Sequence, residues 1–293
     1  MGVTAVERSG VEVGGTQAMS PDAFYVQFTA RNRGLIDEQE QQRLRRTPIL
    51  VAGCGSIGGA VVEPDRYELH NLNRQSAELA DVGRNKARVP AERVRRINPH
   101  VDARVDERGV TSDNAESLVA PAGLIFDGVD VTASPALACK YALHVAAQRL
   151  GVPVVCGYDI AGTQLLLVYD YRVRSLPVLG GRLAGRPVES LDPLHFLGRV
   201  VPLRAVPVEM FGELRRQLSG ESTAFPQLIY SAQLFGVMAC RVGVDLLAGR
   251  RVRHRIAVDV HTLTRTGRDR WRMRLARLVE LARMSRAALA YRR

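Results

Sequence analysis

The stretch Ile49-Leu-Val-Ala-Gly-Cys-Gly-Ser-Ile-Gly-Gly59 constrains this chain more than any other. A short apolar run that closes on glycines reads as a buried parallel strand feeding a tight loop. Gly53, Gly55 and Gly58 match the pattern G-x-G-x-x-G, whose glycines permit the turn and let backbone N–H groups approach phosphates. Such a loop points to a nucleotide without saying which. Ordinarily a whole helix and a second strand follow, and an acid for the ribose comes roughly 20 residues on. Here Glu63 lies ten positions after Gly53, and Asp65 twelve. Parallel strands need a crossover of about a dozen residues, so residues 59–62 cannot supply both helix and strand. Ala60-Val-Val-Glu63 is either the stub of the helix or the surviving strand, and the sequence leaves both open. Loss of the helix would remove the dipole that favours phosphate. Loss of the strand would misplace the acid and narrow the sheet.

Around this feature the text alternates. Residues 1–21 are small and polar, as in a disordered leader, and residues 22–46 read as charged helix ending before Thr47-Pro48. A helix is expected over Arg84–Ile97, stopped by Asn98-Pro99, and another from about Pro135 to Arg149. Strands are expected at 103–105, 124–127, 152–155 and 164–169. This order predicts an α/β fold: a Rossmann-like, mostly parallel sheet with helices on both faces and its first crossover truncated. One nucleotide-binding domain would span 22–264. Within it, residues 175–226 hold six of the 14 prolines and little periodicity, which predicts an irregular insertion. A long apolar helix over 228–249 and a strand over 256–263 follow. Residues 265–293 read as a basic amphipathic helix, with Trp271, Leu275, Leu278, Val279 and Ala282 at helical spacing.

Composition narrows the function classes. Hydrophobic residues at 46% and charged residues at 24% suit a soluble globular chain, and no apolar run approaches the roughly 20 residues of a membrane span. No membrane partner is expected. Cys54, Cys139, Cys156 and Cys240 stand singly, which argues against a disulfide framework and against structural zinc, and fits a reducing cytoplasm. The net charge of +11 lies in the last stretch, where residues 250–293 carry 14 arginines against three acids. With only Trp271 and Tyr291 among them, these arginines read as a solvated helix face, and nucleic acid is not expected as a partner. The six histidines show neither metal spacing nor a triad, and read as packing or surface residues.

Beyond the glycine loop, several short motifs follow in order: Glu63-Pro-Asp65, Asn71-Leu-Asn-Arg74-Gln75, Gly83-Arg-Asn-Lys86, Ile97-Asn-Pro99 and Asp127-Gly-Val-Asp130. Together they resemble the ThiF/MoeB/HesA family, the E1-like bacterial relatives of ubiquitin-activating enzymes, over about residues 24–264. The resemblance implies ATP-dependent adenylation of a carboxylate, the C-terminus of a small ubiquitin-like carrier protein or a peptide, with release of pyrophosphate. It further implies that Arg74 and Lys86 contact phosphates, that Asn71 and Gln75 shape the site, and that Asp130 holds Mg²⁺. Glu63, or Asp65 in its place, would take the ribose hydroxyls. Arg31 or Arg33 matches the family's N-terminal arginine that reaches a phosphate from a neighbouring subunit, so a homodimer is implied too.

The chain departs from the family in places. Val131 follows Asp130 where an asparagine is common, and no cysteine falls in 175–226, where a transfer thiol would be expected. Cys156 reads as a buried strand residue, so adenylation without an enzyme thioester is expected. Asp159 sits in a segment, Gly157 to Gln164, read as joining two strands near the catalytic face. Two other readings stand beside the enzyme. One is a non-catalytic E1-like scaffold that has lost competent ATP binding, for which the short crossover speaks. The other is a nicotinamide or flavin enzyme, which Arg74, Lys86 and Asp130 argue against, since hydride transfer has no need of a phosphate clamp beside a metal acid.

Overall fold

The computed structural model describes residues 19–53, 60–132, 134–183, 192–222 and 225–291. Gly55, Gly58 and most of the expected leader lie outside these residues. The chain divides into two compact units, Met1–Gln42 and Arg43–Arg293. In the first, helix α1 (Pro21–Phe28) starts on a Ser20 cap, and a 3-10 turn at Ala30–Asn32 follows. Helix α2 (Glu38–Arg46) begins in this unit, where the Tyr25 hydroxyl donates to the Gln41 carbonyl at 3.0 Å. The single charged helix expected over 22–46 is thus broken. Gly34, at φ +86°, takes a left-handed conformation that a continuous helix cannot contain.

The second unit is built on one sheet of seven strands. In chain order these are β1 (Ile49–Ala52), β2 (Ala60–Val62), β3 (Val105–Asp106), β4 (Leu124–Asp127), β5 (Val154–Ile160), β6 (Thr163–Tyr169) and β7 (Arg255–Asp259). In space they run β3-β2-β1-β4-β5-β6-β7, the first five parallel and the last two antiparallel. Side chains alternate between two cores, as a sheet covered on both faces requires. Leu50, Ile125, Leu165 and Leu167 enter one core with helices α4 (Ala115–Val119) and α5 (Ser134–Leu150). Val51, Phe126, Leu166 and Val168 enter the other with α3 (Arg88–Ile97) and α8 (Ile229–Leu247).

The two alternatives left by the glycine loop close here. Ala60–Val62 is a strand, paired in parallel with β1 from Leu50↔Ala60 to Ala52↔Val62. Only residues 53–59 lie in sequence between the end of β1 and the start of β2. That is shorter than the ten or more residues of a crossover with its helix. The strand that carries Glu63 at its end is therefore kept.

Three further expectations shift. The insertion at 175–226 is not irregular throughout: it forms 3-10 turns at Val178–Gly181 and Leu203–Ala205 and helices α6 (Pro193–Val200) and α7 (Met210–Leu218). Three of its described prolines begin elements: Pro177 and Pro202 stand just ahead of the 3-10 turns, and Pro193 occupies the first turn of α6 behind the Asp192 cap. The strand expected over 256–263 stops at Asp259, whose side chain accepts from Thr262 N and starts the short helix α9 (Val260–Thr264). Helix α10 (Gly267–Tyr291) forms as expected, but its apolar stripe of Trp271, Leu275, Leu278 and Val279 is exposed. It meets α7 through another side, with Glu280 paired to Arg215 and with Leu281 and Met284 against the core. No described helix is long and apolar enough to cross a membrane.

Candidate functional site

A parallel sheet gathers loops at the carboxyl ends of its strands, and the crevice opens where successive connections leave in opposite directions. Here that point lies between β1 and β4. Gly53 and Gly128 close the two strands at very short range: Gly128 N donates to the Ala52 carbonyl at 2.7 Å. Gly53 has φ +79°, and a Cβ there would stand 2.3 Å from the Gly128 carbonyl carbon. Only glycine fits. Gly53→Ala is expected to destabilise the protein by about 2 kcal/mol through strain and overlap. Urea unfolding reads this directly, and an unchanged midpoint would contradict the close approach.

The loop after β2 carries the first group of polar residues. Glu63 follows the strand directly, with its N–H bonded to the Asp106 carbonyl at 3.2 Å. Its carboxylate accepts from Asp65 N at 3.2 Å. Lys86, whose side chain is 13% exposed, donates to the Asp65 carboxylate at 3.1 Å. Asn85, buried, ties the two segments: its Nδ2 donates to the Glu63 and Asp65 carbonyls, and its Oδ1 accepts from Ala87 N and Arg88 N at the start of α3. Sequence reasoning passed over Asn85. An asparagine just ahead of a helix is a capping signal that could have marked it.

Arg74 is placed by a second knot. Asn71 is buried and does not line the crevice. Its Oδ1 accepts from Glu68 N, and its carbonyl accepts from Arg74 N and Gln75 N at 3.1 and 2.9 Å. From α8, Gln233 Nε2 donates to the Arg74 carbonyl at 3.0 Å. Burial pulls the Arg74 guanidinium below its usual range, while Asp159 and Asp130 favour its charge. The buried Gln75 Oε1 has no partner among the described residues.

Asp130 follows β4. Its Oδ1 accepts from Thr132 N at 2.8 Å, and the residue is exposed. Behind it lies a fully buried network, of which the sequence motif announced only Asp127. Asp127 pairs with Lys140 Nζ at 2.7 Å and with His144 Nε2 at 2.9 Å, all three side chains at 0% exposure. Leu179 N donates to the Tyr171 hydroxyl, which lies 2.8 Å from His144 Nδ1. A carboxylate only accepts, so Nε2 carries the proton and Nδ1 accepts from the tyrosine. Burial lowers the His144 pKa and keeps the ring neutral. Burial would raise Asp127, but Lys140 and His144 outweigh it and hold the carboxyl well below the usual range. The other Asp127 oxygen accepts from Val129 N at 3.0 Å. The network thus fixes the turn that presents Asp130.

Asp127, His144 and Cys156 lie close enough together to suggest metal ligands. Their donors are already committed: Lys140 neutralises the carboxylate, and burial pushes the Cys156 thiol up to about 12. A thiol so protonated is neither a ready ligand nor a nucleophile.

Asp159 was expected in a connection but lies within β5, which continues to Ile160 before the tight turn into β6. Burial pushes its carboxyl up to about 6, against the pull of Arg74. A carboxyl that titrates near 6 when folded and near 3.9 when unfolded binds its proton preferentially in the folded state over about pH 4–6. Its contribution to stability therefore falls as pH rises through that window. Asp159→Asn should gain on the wild type by roughly 1–3 kcal/mol as pH goes from 4.5 to 7. Denaturant unfolding at both pH values checks the sign; a gap that does not widen would refute it.

These groups open onto one cavity of about 320 Å³, whose polar end includes Gly53, Glu63, Lys86, Arg74, Gln75 and Asp130. Asp65 and Asp159 also line it. Two cations and several carboxylates around a glycine-edged crevice can hold a polyanion, and Asp130 can accept a hard divalent cation. Arg31 and Arg33 are exposed residues of the first unit.

Fold and crevice define a Rossmann-like protein with a polar cavity at the carboxyl edge of a mostly parallel sheet. The ThiF family model matches residues 29–167 of this chain. Over 137 residues it is 33% identical to a sulfur carrier protein adenylyltransferase of Thermus thermophilus, covering 42% of this chain and 49% of that protein. Over 152 residues it is 30% identical to the adenylyltransferase and sulfurtransferase MOCS3 of Anopheles gambiae, covering 47% of this chain and 33% of that one. The chain spans half or less of the length of these relatives. Among solved structures, Escherichia coli tRNA N6-threonylcarbamoyladenosine dehydratase in complex with ATP aligns with a TM-score of 0.50 at 20% identity. The alignment covers 76% of this chain and 95% of that one, a likeness of fold.

Proposed function

We propose that this protein binds ATP and Mg²⁺ at the β1/β4 crevice and adenylates a carboxylate, the C-terminus of a small ubiquitin-like carrier protein or a peptide. The carrying observation is that Glu63, Arg74, Gln75, Lys86 and Asp130, scattered over the sequence, open onto one cavity. In the reaction a carboxylate oxygen attacks the α-phosphorus, the bond to the β-phosphate oxygen breaks, and pyrophosphate leaves with its electron pair. Arg74 and Lys86 neutralise phosphate charge as it shifts. Lys86 exchanges its Asp65 partner for phosphate, and Glu63 accepts from the ribose hydroxyls. Asp130 would hold Mg²⁺, which supplies charge neutralisation on the triphosphate. Its exposed carboxylate accepts from Thr132 N and makes no close ion pair among the described residues, though Arg74 acts on it through space, and the unpartnered Gln75 Oε1 leaves an acceptor for the nucleotide. Both features fit this use.

The relatives' names, a sulfur carrier protein adenylyltransferase and an adenylyltransferase and sulfurtransferase, support the same reading. The buried Cys156 thiol fits product release without an enzyme thioester. Arg31 and Arg33 would act across a homodimer, in the cytoplasm where ATP is supplied. The scaffold reading draws on the shortened crossover, and the assembled polar cavity weighs against it. Exchange of labelled pyrophosphate into ATP, dependent on an added carboxylate, is the expected result. No exchange with any carboxyl-ended carrier or peptide, from folded protein that binds no ATP, would favour the scaffold.

A further inference from the structure

The cavity does not end at the polar groups. Beyond Asp130 and Asp159 it continues into a chamber walled by side chains of the 175–226 insertion and of α8 and α10. Leu194, Leu197 and Val201 come from one face of α6 and the residue after it, Met210 and Leu214 from one face of α7, and Met284 from α10. Helix α6 is apolar on two sides: Phe196 and Val200 are buried in the core, while Leu194 and Leu197 face the chamber half-buried. An apolar wall kept partly in water forgoes about 25 cal/mol for each Å² left exposed. It is a cost that an apolar occupant would recover.

We infer that this chamber seats a bulky apolar group carried next to the reacting carboxylate, so that the acid is not one ending in glycine. The inference rests on the adenylation reading and narrows its substrate. Charge and shape agree on the orientation. The cations Arg74 and Lys86 lie at the polar end, so an acid enters with its carboxylate toward them and its apolar body in the chamber. The walls also select what the body is. The α6, α7 and α10 parts of the wall bond their backbone groups within their own helices, so they offer an extended peptide backbone few partners. Each buried unpaired N–H or C=O would be costly. An apolar side chain or hydrocarbon body meets no such penalty. A terminal glycine would leave the chamber unfilled.

The group could come from a peptide's C-terminal residue or from a free apolar acid, and a panel separates these. Carboxylate-dependent pyrophosphate exchange is measured with an acetylated tetrapeptide ending in leucine, its counterpart ending in glycine, and 4-phenylbutyrate. The leucine-ended peptide or phenylbutyrate is expected to exceed the glycine-ended peptide at least tenfold in kcat/KM; whichever leads identifies the source. Gly198 supplies the structural control. It lies in the chamber wall on α6, and a Cβ built there meets nothing within 4 Å. Gly198→Leu starts from an open Cβ position, is expected to project its side chain into the chamber, and adds helix propensity. It should reduce the apolar preference at least tenfold. Equal or better exchange with the glycine-ended peptide, or a preference untouched by Gly198→Leu, overturns the inference while leaving adenylation standing. If no acid supports exchange, calorimetric binding of phenylbutyrate still decides: binding weakened tenfold by Gly198→Leu keeps the chamber, and no binding removes it.

Discussion

Lys140→Met is expected to lower unfolding stability by about 3–5 kcal/mol, the largest single-residue effect foreseen for this chain. Lys140 and Asp127 form an ion pair at 2.7 Å with both side chains at 0% exposure. A buried pair of this kind adds little to stability as a whole. Removing one partner, however, leaves the other charged in an apolar surround, and His144 cannot replace the lost cation because burial keeps it neutral. The pH dependence gives a second, more specific readout. In the wild type the Asp127 carboxyl is held low, so its contribution is present above about pH 4 and is lost as pH falls further. Without the ammonium, burial would lift that pKa above the unfolded value, and the variant would lose stability as pH rises from about 4. The slope reverses sign. The double variant Asp127→Asn with Lys140→Met should recover most of the loss, since no charge is then stranded. A cost under about 1 kcal/mol for Lys140→Met would show the pair to be far wetter than the structure has it.

Arg74→Ala should reduce carboxylate-dependent pyrophosphate exchange by about 10²–10³-fold, the range for removing one donor aimed at developing charge. Arg74 is half-buried at the polar end of the cavity, and Asp159 and Asp130 both act on it electrostatically. Alanine would do two things at once. It would remove the cation that meets the phosphate, and it would leave two carboxyl groups facing a polyanion unneutralised. Arg74→Lys should restore part of the rate, since it returns the charge without the guanidinium's fork of donors. A loss of less than tenfold in Arg74→Ala, with ATP still turned over, would assign the phosphate contact elsewhere.

Much of this was legible in the sequence, because motifs that act on one ligand must be carried to one place. Glu63, Arg74, Lys86 and Asp130 sit in loops at strand ends, and the alternation of apolar runs with helices located those ends. The polar end of the cavity follows from that. What was not legible depends on contacts between distant segments. Lys140 and His144 lie on α5, where a lysine among apolar residues reads as surface and a lone histidine as packing. Only the fold brings them to Asp127. The choice between helix stub and strand at Ala60–Val62 turned on pairing with β1 and β3, which three residues cannot reveal alone. Helices α6 and α7 are eight and nine residues long, too short for periodicity to stand out among six prolines. The chamber they form was hidden with them.

The shortened crossover makes one quantity decisive, because only residues 53–59 lie between β1 and β2, where a helix whose first turn holds phosphate would ordinarily stand. If Arg74, Lys86, Gln75 and Asp130 suffice, nucleotide binding survives that loss. Calorimetric titration of Mg-ATP into the full chain, with Asp130→Ala beside it, measures this directly. The account predicts saturable one-site binding that weakens at least tenfold in the variant. No heat of binding at millimolar Mg-ATP, from protein shown by circular dichroism to be folded, would contradict it.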